Sequence, residues 1–334
     1  MMYFCTLFDS NYVSKGIALY LSLEQQTEDF VLYVMGMDRK CQEILNSNAF
    51  KHMVVECIDD VDSPELKEAK ENRSRAEFCW TCGSFITDYF LHKYNMPNIT
   101  YLDSDLMFFH SPKVVFDELE HNKASIGLTP HFTKYSLFGK YCVQFVYFMN
   151  DEDGRACLRW WRDECLKWCY SRVENGKYGD QKYLDYFAEK YNHVYEISNR
   201  GVGIAYWNMD DYSFKDGKVI YEGNQWPIIF FHYSGINVGV ENDVLLFRHT
   251  MFLTDVIRNN FVEPYAILLK GVFTRKLNTP IDHITIAPLN YFAYYLKVMA
   301  YYVNKALPID WLVSMVMKWK YKSWNSPYSE RMYN

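Results

Sequence analysis

Apolar runs and amphipathic segments alternate along the first half of the chain. The runs "MMYFCTLF", "FVLYVMGMD", "HMVVECID" and "ITYLDSD" predict four buried strands, and "ASIGLTP" predicts a fifth. The segments between them, such as "IALYLSLEQQ" and "DRKCQEILNS", have the pattern of helices. Strands that alternate with helices indicate a largely parallel sheet with helices on both faces. In such sheets ligands bind at the carboxyl ends of the strands.

The alternation continues to about residue 240. "YCVQFVYFMND" predicts a strand, "DGRACLRWWRDECLKWCY" and "GDQKYLDYFAEKY" predict helices, and "GNQWPIIFFHYSG" predicts a last buried strand. From about residue 250 longer helical runs replace the pattern of strand and helix. We therefore predict one α/β domain over residues 1–250 and a helical, aromatic and basic extension over residues 251–334.

Composition narrows the class of protein. The 334 residues are 49% hydrophobic and 23% charged, so the chain has enough apolar material for a sizeable core. The formal net charge of -6 argues against a general nucleic-acid-binding protein. Aromatic residues reach 18%, which slightly favours carbohydrate or membrane-interface surfaces, although ordinary cores also use aromatic rings.

The nine cysteines form no pattern typical of a zinc ribbon. Cys79 and Cys82 make one CxxC pair, and Cys165 and Cys169 are four apart. Buried, reduced thiols are favoured over a metal or redox site. The segment "MMYFCTLFDS" lacks a basic region followed by an apolar signal core, so we expect a protein of the reducing cytoplasm.

Two carboxylates, Asp103 and Asp105, follow the apolar run "ITYL" directly. Residues i and i+2 of an extended chain point to the same side, so both carboxylates can face one cation. Oxygen ligands of this kind suit Mg²⁺ or Mn²⁺. A buried arginine paired with the aspartates, or a helix N-cap, is the alternative. The Asp-x-Asp pattern also occurs at residues 60–62 and 151–153, in polar contexts that predict solvated loops or helix starts.

Two further segments hold polar residues at predicted element ends. His232 ends the apolar strand "PIIFFH", where a lone histidine is more often a core residue than a ligand. In "GKYGDQKYLD", Gly179 is predicted to turn the chain, and a helix is predicted to begin at Asp180 and Gln181. The local pattern therefore predicts that Asp180 is a helix N-cap. The chain contains no GxxxxGK[ST] phosphate loop, no GxGxxG and no GxSxG motif. A diphosphate site would therefore depend on metal bridging.

Taken in order, "YFCTLFDSNYVSKGIALYLSL", "YLDSD", "GDQKYLD", "NRGVGIAYWN" and "FFHYSG" make the chain resemble GT-A fold glycosyltransferases. It is most similar to the retaining enzymes of glycosyltransferase family eight and to bacterial transferases of lipopolysaccharide, O-antigen and capsule synthesis. The resemblance covers roughly residues 3–240. It implies a Rossmann-like α/β fold with a mostly parallel mixed sheet flanked by helices.

The resemblance also implies ligands and residue roles. A nucleotide-sugar donor, usually a UDP-sugar, would bind with Mn²⁺ or Mg²⁺, and the acceptor would be a saccharide or a lipid-linked saccharide. The metal ligands implied are Asp103, Asp105 and His232. The residues implied to hold the donor are Thr6, Asp9, Tyr12, Arg75 (with Arg73 an equally fair candidate), Asp103 and Ser104. The residues implied beside the transferred sugar are Asp180, a nucleophile or sugar-orienting group, and Gln181.

The chain departs from the family pattern in two places. "HYSGINVGV" lacks the lysine and the Pro-Trp of a longer family element, which puts one phosphate contact in doubt. Gln144 stands where a small glycine is expected, which would reshape the acceptor or sugar pocket. A sugar nucleotidyltransferase and a non-catalytic nucleotide-sugar-binding protein remain as alternative functions.

The C-terminal segment "LNYFAYYLKVMAYYVNKALPIDWLVSMVMKWKYKSW" mixes aromatic residues with lysines. Such a segment is typical of an interfacial membrane helix that anionic lipid attracts. The alternative is a set of helices packed on the catalytic domain with an exposed basic tail. We expect peripheral contact with the cytoplasmic face of the inner membrane, through Lys297, Lys305, Lys318, Lys320 and Lys322 among others.

Overall fold

The structure is a computed structural model that describes residues 1–133, 138–235, 237–241, 244–248 and 255–274. Within these ranges the alternation of strands and helices is the one that the apolar pattern predicts. The predicted membrane-interface segment, including its five lysines, lies outside the described residues. No helix of the described residues is long and apolar enough to cross a membrane.

Seven strands form the main sheet. In spatial order they are β3 (Met53–Cys57), β2 (Phe30–Gly36), β1 (Met2–Phe8), β4 (Asn98–Leu102), β7 (Tyr141–Met149), β6 (Ile126–Pro130) and β8 (Val194–Glu196). β7 pairs antiparallel with both of its neighbours, and the other pairs are parallel. This arrangement confirms the predicted mostly parallel mixed sheet.

Helices cover both faces of this sheet. They are α1 (Val13–Gln26), α2 (Arg39–Asn46), α3 (Pro64–Asn72), α4 (Arg75–Lys93), α5 (Lys113–His121), α6 (Glu152–Lys167) and the short α7 (Phe187–Lys190). One apolar core packs beneath α1, α2 and α5, and a second packs beneath α3, α4 and α6. Within β1, Phe4 points into the first core and Cys5 into the second, as the alternation of side chains along a strand requires. The sheet is therefore buried on both faces. A ligand can reach it only at the ends of the strands.

Smaller sheets complete the described chain. They are β5 (Leu106–Phe108) with β13 (Phe230–His232) and β9 (Ile204–Ala205), then β10 (Ser213–Lys215) with β11 (Lys218–Tyr221) and β12 (Asn224–Pro227), and finally β14 (Asn237–Glu241) with β15 (Val244–Arg248). In the first of these sheets His232 pairs with Leu106, and the Tyr233 amide donates to the Asp105 carbonyl at 2.9 Å. This register brings the late histidine to the Asp-Ser-Asp turn.

Residues 255–274 pack against the first core. They form α8 (Asp255–Ile257), a π-helical turn (Arg258–Val262) and α9 (Glu263–Thr274). Phe261 and Tyr265 are fully buried there, and the rings of Tyr265 and Tyr233 stack with centroids 3.8 Å apart. The division of the chain at residue 250 stays a prediction, and the helical turns that directly follow it share the core of the α/β domain.

Candidate functional site

A cleft of about 1820 Å³ opens at the carboxyl ends of β1 and β4. Nine of the ten residues proposed from the sequence line it. They are Asp9, Tyr12, Arg75, Asp103, Ser104, Asp105, Asp180, Gln181 and, from the late strand, His232, with only Thr6 outside the lining.

 These nine predicted residues therefore meet in one cleft, although they come from distant parts of the chain.

The Asp-Ser-Asp segment forms a turn between two strands. The sequence pattern predicts a strand through Asp105, but β4 ends at Leu102 and β5 begins at Leu106. The two carboxylates still converge, because both reach the same imidazole. His232 Nε2 lies 3.1 Å from Asp105 Oδ1 and 3.6 Å from Asp103 Oδ2.

A buried lysine is the second cation near this turn. The Nζ atom of Lys15, on the first turn of α1, lies 3.9 Å from Asp105 Oδ2 and 4.4 Å from the centre of the Tyr12 ring. Lys15 is only 6% exposed. Among the described residues no arginine forms an ion pair with Asp103 or Asp105. The arginine-pair alternative therefore gains no support from the described part of the chain.

Burial and neighbouring charges shift the pKa values of Asp103 and Asp105 in opposite directions. Burial raises the pKa of Asp103 to about 7, and the nearby His232 charge offsets this only in part. Burial would raise the pKa of Asp105 as well, but the charge and hydrogen bond of His232, together with Lys15, lower it to about 2. Despite its burial, His232 has a raised pKa because Asp105 stabilises the imidazolium. The turn thus holds one readily ionised carboxylate and one that resists ionisation.

The outer end of the cleft holds the residues predicted to contact the nucleoside. Asp9 Oδ1 accepts hydrogen bonds from the backbone amides of Asn11 (2.8 Å) and Tyr12 (3.2 Å), which fixes the loop before α1. Its Oδ2 lies 2.6 Å from Arg75 Nη2, and the same nitrogen lies 3.3 Å from Asp38 Oδ2. The Tyr12 ring is 43% exposed and is free to meet a planar ligand.

The structure separates the two arginine candidates. Arg75 lines the cleft, and its side chain is 62% exposed. Arg73 is buried, donates from Nη2 to the Leu166 carbonyl at 2.6 Å, and stacks on the Tyr170 ring. Thr6 is fully buried within β1, and its hydroxyl has no hydrogen-bond partner among the described residues. Arg75 is thus the better placed arginine, and the structure offers Thr6 no contact with the cleft.

Asp180 and Gln181 lie in the wall of the cleft. Gly179 has φ +50°, a left-handed conformation that glycine adopts without strain, and it turns the chain into a 3-10 helix at Gln181–Tyr186. Asp180 occupies the N-cap position of this helix, as the local pattern predicts, but its side chain makes no capping hydrogen bond there. Asp180 is 5% exposed, and burial next to Asp103 raises its pKa well above the usual range. Gln181 Nε2 donates to the Phe138 carbonyl at 3.1 Å.

Sequence reasoning missed Cys142 and His131. Cys142 lies on β7 opposite Thr129 of β6, two residues before His131. One ligand atom from each of Asp103, Cys142 and His232 lies within 4.8 Å of the others. Burial would raise the pKa of Cys142, but the imidazoles of His131 and His232 lower it to about 6. The strand pattern "YCVQFVYF" carries no signal for this contact, because the partners come from other strands.

Gln144, the second departure from the family pattern, lies behind the cleft rather than in its lining. Its side chain is fully buried, and both amide atoms lack a hydrogen-bond partner among the described residues. A Cβ atom at Gly203 would lie 2.6 Å from Gln144 Nε2, so only glycine fits at that close approach. Gln144 therefore takes up space beneath the wall formed by β7 and the loop before β9.

No family model matches the chain. The chain is 30% identical over 260 residues to the uncharacterized protein YfnF of Bacillus subtilis (strain 168), covering 74% of this chain and 86% of that protein. It is 28% identical over 279 residues to the uncharacterized protein YfnD of the same organism, covering 80% of this chain and 88% of that protein.

Solved structures share the fold. The chain is similar to the galactosyltransferase LgtC in complex with donor and acceptor sugar analogues, with 14% identity, a TM-score of 0.50, and coverage of 88% of this chain and all of LgtC. It is also similar to the bifunctional glycosyltransferase WbbM, with 13% identity, a TM-score of 0.51, and coverage of 83% of this chain and 52% of that one. These likenesses confirm the GT-A fold expected from the sequence motifs. The chain is a GT-A fold protein, and by its similarity to YfnF it belongs to the family of that Bacillus subtilis protein.

Proposed function

We propose that the protein is a metal-dependent, retaining glycosyltransferase. It would move a sugar from a UDP-sugar to a saccharide or lipid-linked saccharide acceptor in the synthesis of a bacterial surface polysaccharide. The observation that carries this proposal is the meeting of Asp103, Asp105 and His232 in a large cleft at the carboxyl ends of the strands. The GT-A fold adds support, because the LgtC structure of the same fold holds donor and acceptor sugar analogues.

The residues at the turn fit a divalent ion. Two neighbouring ligands of an octahedral ion bound at about 2.1 Å lie about 3 Å apart. His232 Nε2 lies 3.1 Å from Asp105 Oδ1 and 3.6 Å from Asp103 Oδ2, so the imidazole is within reach of an ion at either carboxylate. Asp105 is not in the described group of ligand atoms within 4.8 Å of one another, so its side chain would have to rotate toward an ion shared with Asp103. Asp103, Asp105 and His232 would hold Mn²⁺ or Mg²⁺. When bound, the ion would supply Lewis-acid stabilisation to a diphosphate leaving group.

The remaining residues would contact different parts of the donor, namely its base and its phosphates. Tyr12, 43% exposed, would meet the base with its ring. Asp9 would accept from a base N–H through Oδ2, the oxygen that now contacts Arg75. Arg75 would contact a phosphate, since its guanidinium lies at the surface of the cleft. A phosphate would compete with Asp9 and Asp38 for this guanidinium. Ser104, between Asp103 and Asp105, lines the same cleft and would also contact the donor.

Asp180 and Gln181 would contact the transferred sugar. Asp180 is buried in the cleft wall and interacts electrostatically with Asp103, so its carboxyl group would lie near a diphosphate bound at the Asp-Ser-Asp turn. Asp180 would orient the sugar or act as the nucleophile of a retaining reaction. LgtC was also solved as an active-site mutant in which glutamine is replaced by glutamate. Gln181 is the one glutamine among the lining residues that the structure describes, which supports its assignment.

The experiment that tests the function is a screen of UDP-, GDP- and CMP-sugars for nucleotide release with Mn²⁺ or Mg²⁺. We expect release from a UDP-sugar that stops on addition of EDTA and in the Asp103→Asn variant. The matched control is Asp62→Asn, in the exposed Asp-x-Asp segment, where the carboxylate pairs with Lys67 on the surface.

The screen also separates the alternatives. Pyrophosphate release from a nucleoside triphosphate and a sugar phosphate would identify a nucleotidyltransferase. Calorimetric binding of UDP and Mn²⁺ without turnover of any sugar nucleotide would identify a non-catalytic binding protein. Either result would overturn the proposed activity.

We further propose that the protein binds the cytoplasmic face of the inner membrane through residues 285–334. The support is the mixture of lysines and aromatic residues in that segment. Sedimentation with anionic liposomes should fall sharply when residues 285–334 are deleted, and sedimentation with neutral liposomes should be weak throughout. Unchanged sedimentation after the deletion would contradict the proposal.

A further inference from the structure

We propose that Cys142 is a thiolate ligand of the divalent ion that Asp103 and His232 hold. The site would then bind a borderline-soft ion such as Co²⁺ or Zn²⁺ more tightly than carboxylates and imidazole alone allow. This inference rests on the proposed metal-dependent function. It adds a sulfur ligand to the Asp103, Asp105 and His232 set.

The backbone fixes Cys142 beside this ion site. β7 pairs with β4, and the Asp103 amide donates to the Gln144 carbonyl at 3.2 Å, so the strand that carries Cys142 runs directly alongside the Asp-Ser-Asp turn. The sulfur of Cys142, a carboxylate oxygen of Asp103 and a ring nitrogen of His232 all lie within 4.8 Å of one another. Small side-chain rotations would bring three such atoms to one ion.

A second observation points to a missing partner in this cluster. His232 is only 6% exposed, and its Nδ1 atom has no hydrogen bond among the described residues. A buried polar atom without a partner is costly, and native proteins rarely leave one unless an ion, a water molecule or a ligand completes the site. The described residues therefore leave the hydrogen-bonding capacity of the buried His232 ring incomplete.

A second cysteine of the described lining, Cys79, provides the contrast. Among the residues that the structure describes, Cys79 belongs to no group of carboxylate and imidazole ligands. Cys142 is 3% exposed, so its sulfur would meet an ion in an environment with little competing water. On binding, the thiol would lose its proton, and metal affinity would rise with pH. Cys79 is a thiol in the same cleft that is not grouped with Asp103 and His232, so it serves as the matched control.

The test is a Co²⁺ titration of the full-length protein without nucleotide, followed by absorption spectroscopy. A cobalt–thiolate bond gives a charge-transfer band in the near ultraviolet that oxygen and nitrogen ligands do not give. We expect this band in the wild type and in Cys79→Ser, and its loss in Cys142→Ser. Co²⁺ affinity should fall at least about tenfold in Cys142→Ser, while Mg²⁺ affinity should change little because Mg²⁺ prefers oxygen ligands.

Two results would overturn the inference. One is a wild-type protein that shows no charge-transfer band at saturating Co²⁺, whether because Co²⁺ binds without sulfur or does not bind at all. The other is a band that persists in Cys142→Ser. The wild-type spectrum decides the matter even if Cys142→Ser fails to fold. Sugar-nucleotide turnover with Mn²⁺ is measured separately, so a failure of the cysteine ligand leaves the test of the proposed function intact.

Discussion

The two ends of the cleft pair opposite charges in different environments. At the outer end Asp9 meets Arg75, whose side chain is 62% exposed. At the inner end Asp105 meets His232 and Lys15, which are 6% exposed each. Water and salt screen the outer pair, whereas burial strengthens the interactions of the inner group. The outer end therefore suits reversible contact with a ligand, and the inner end suits a fixed site for an ion.

The largest expected difference between the two ends is in activity. Asp105→Asn should lower kcat/KM for the UDP-sugar by about 100- to 1000-fold, because it removes a charge that would stabilise the reacting diphosphate through the ion. Asp9→Asn should raise KM by about tenfold and leave kcat nearly unchanged, since about 1.4 kcal/mol of ground-state binding is lost. Steady-state kinetics at saturating Mn²⁺ would measure both. Equal losses of kcat in the two variants would remove the distinction.

The next prediction concerns the two aspartates of the inner end, which should affect stability with opposite signs. In metal-free protein the pKa of Asp103 is raised from 3.8 to about 7, so ionising it costs stability as pH rises through this window. Asp103→Asn should therefore raise the melting temperature at pH 8 and have little effect at pH 4. The pKa of Asp105 is lowered to about 2, so its contribution is present above pH 3.8 and is lost as pH falls toward 2. Asp105→Asn should lower the melting temperature at pH 7.

Thermal unfolding in EDTA between pH 4 and pH 8 would check both aspartates. Asp62→Asn is the control, since its carboxylate is 88% exposed and its substitution should hardly change the melting temperature at either pH. If Asp103→Asn and Asp105→Asn shift the melting temperature in the same direction at pH 7 to 8, the two carboxyl groups do not have opposite pKa shifts.

The smallest expected effect is at the outer end. Arg75→Ala should raise KM for the UDP-sugar by roughly three- to tenfold at low salt, and less at high salt because the exposed charge is screened. Its unfolding free energy should change by less than about 1 kcal/mol. Arg73→Ala should do the reverse. It should destabilise the fold by about 1–3 kcal/mol because it removes a buried donor to the Leu166 carbonyl, and it should leave KM unchanged.

Kinetics at two salt concentrations and denaturant unfolding would separate the two arginines. A salt-independent change in KM for Arg75→Ala would mean that this residue acts by packing rather than by charge. A raised KM for Arg73→Ala with normal stability would restore Arg73 as the donor-binding candidate.

Much of the fold was predictable because its strands are buried on both faces. Such strands appear as continuous apolar runs, and β1, β2 and β3 fall within the runs identified in the sequence, while β4 begins one residue before its run. Element ends were less predictable. β4 stops at Leu102 because the chain turns at Asp103 and Ser104, whereas the apolar pattern allowed a strand through Asp105.

The sequence alone determined which residue types follow the strands, and hence that Asp9, Asp103 and Asp105 would gather at the carboxyl ends of a parallel sheet. His232 was added to this set by the family resemblance. It could not determine which residues of other helices and strands contact these carboxylates. Lys15 and Cys142 occupy positions that read as ordinary helix and strand residues, and the choice between Arg73 and Arg75 was open. Only the tertiary structure decided these contacts, because they join elements far apart in the chain. Local periodicity fixes which face a side chain occupies, but the packing of distant elements fixes its neighbours.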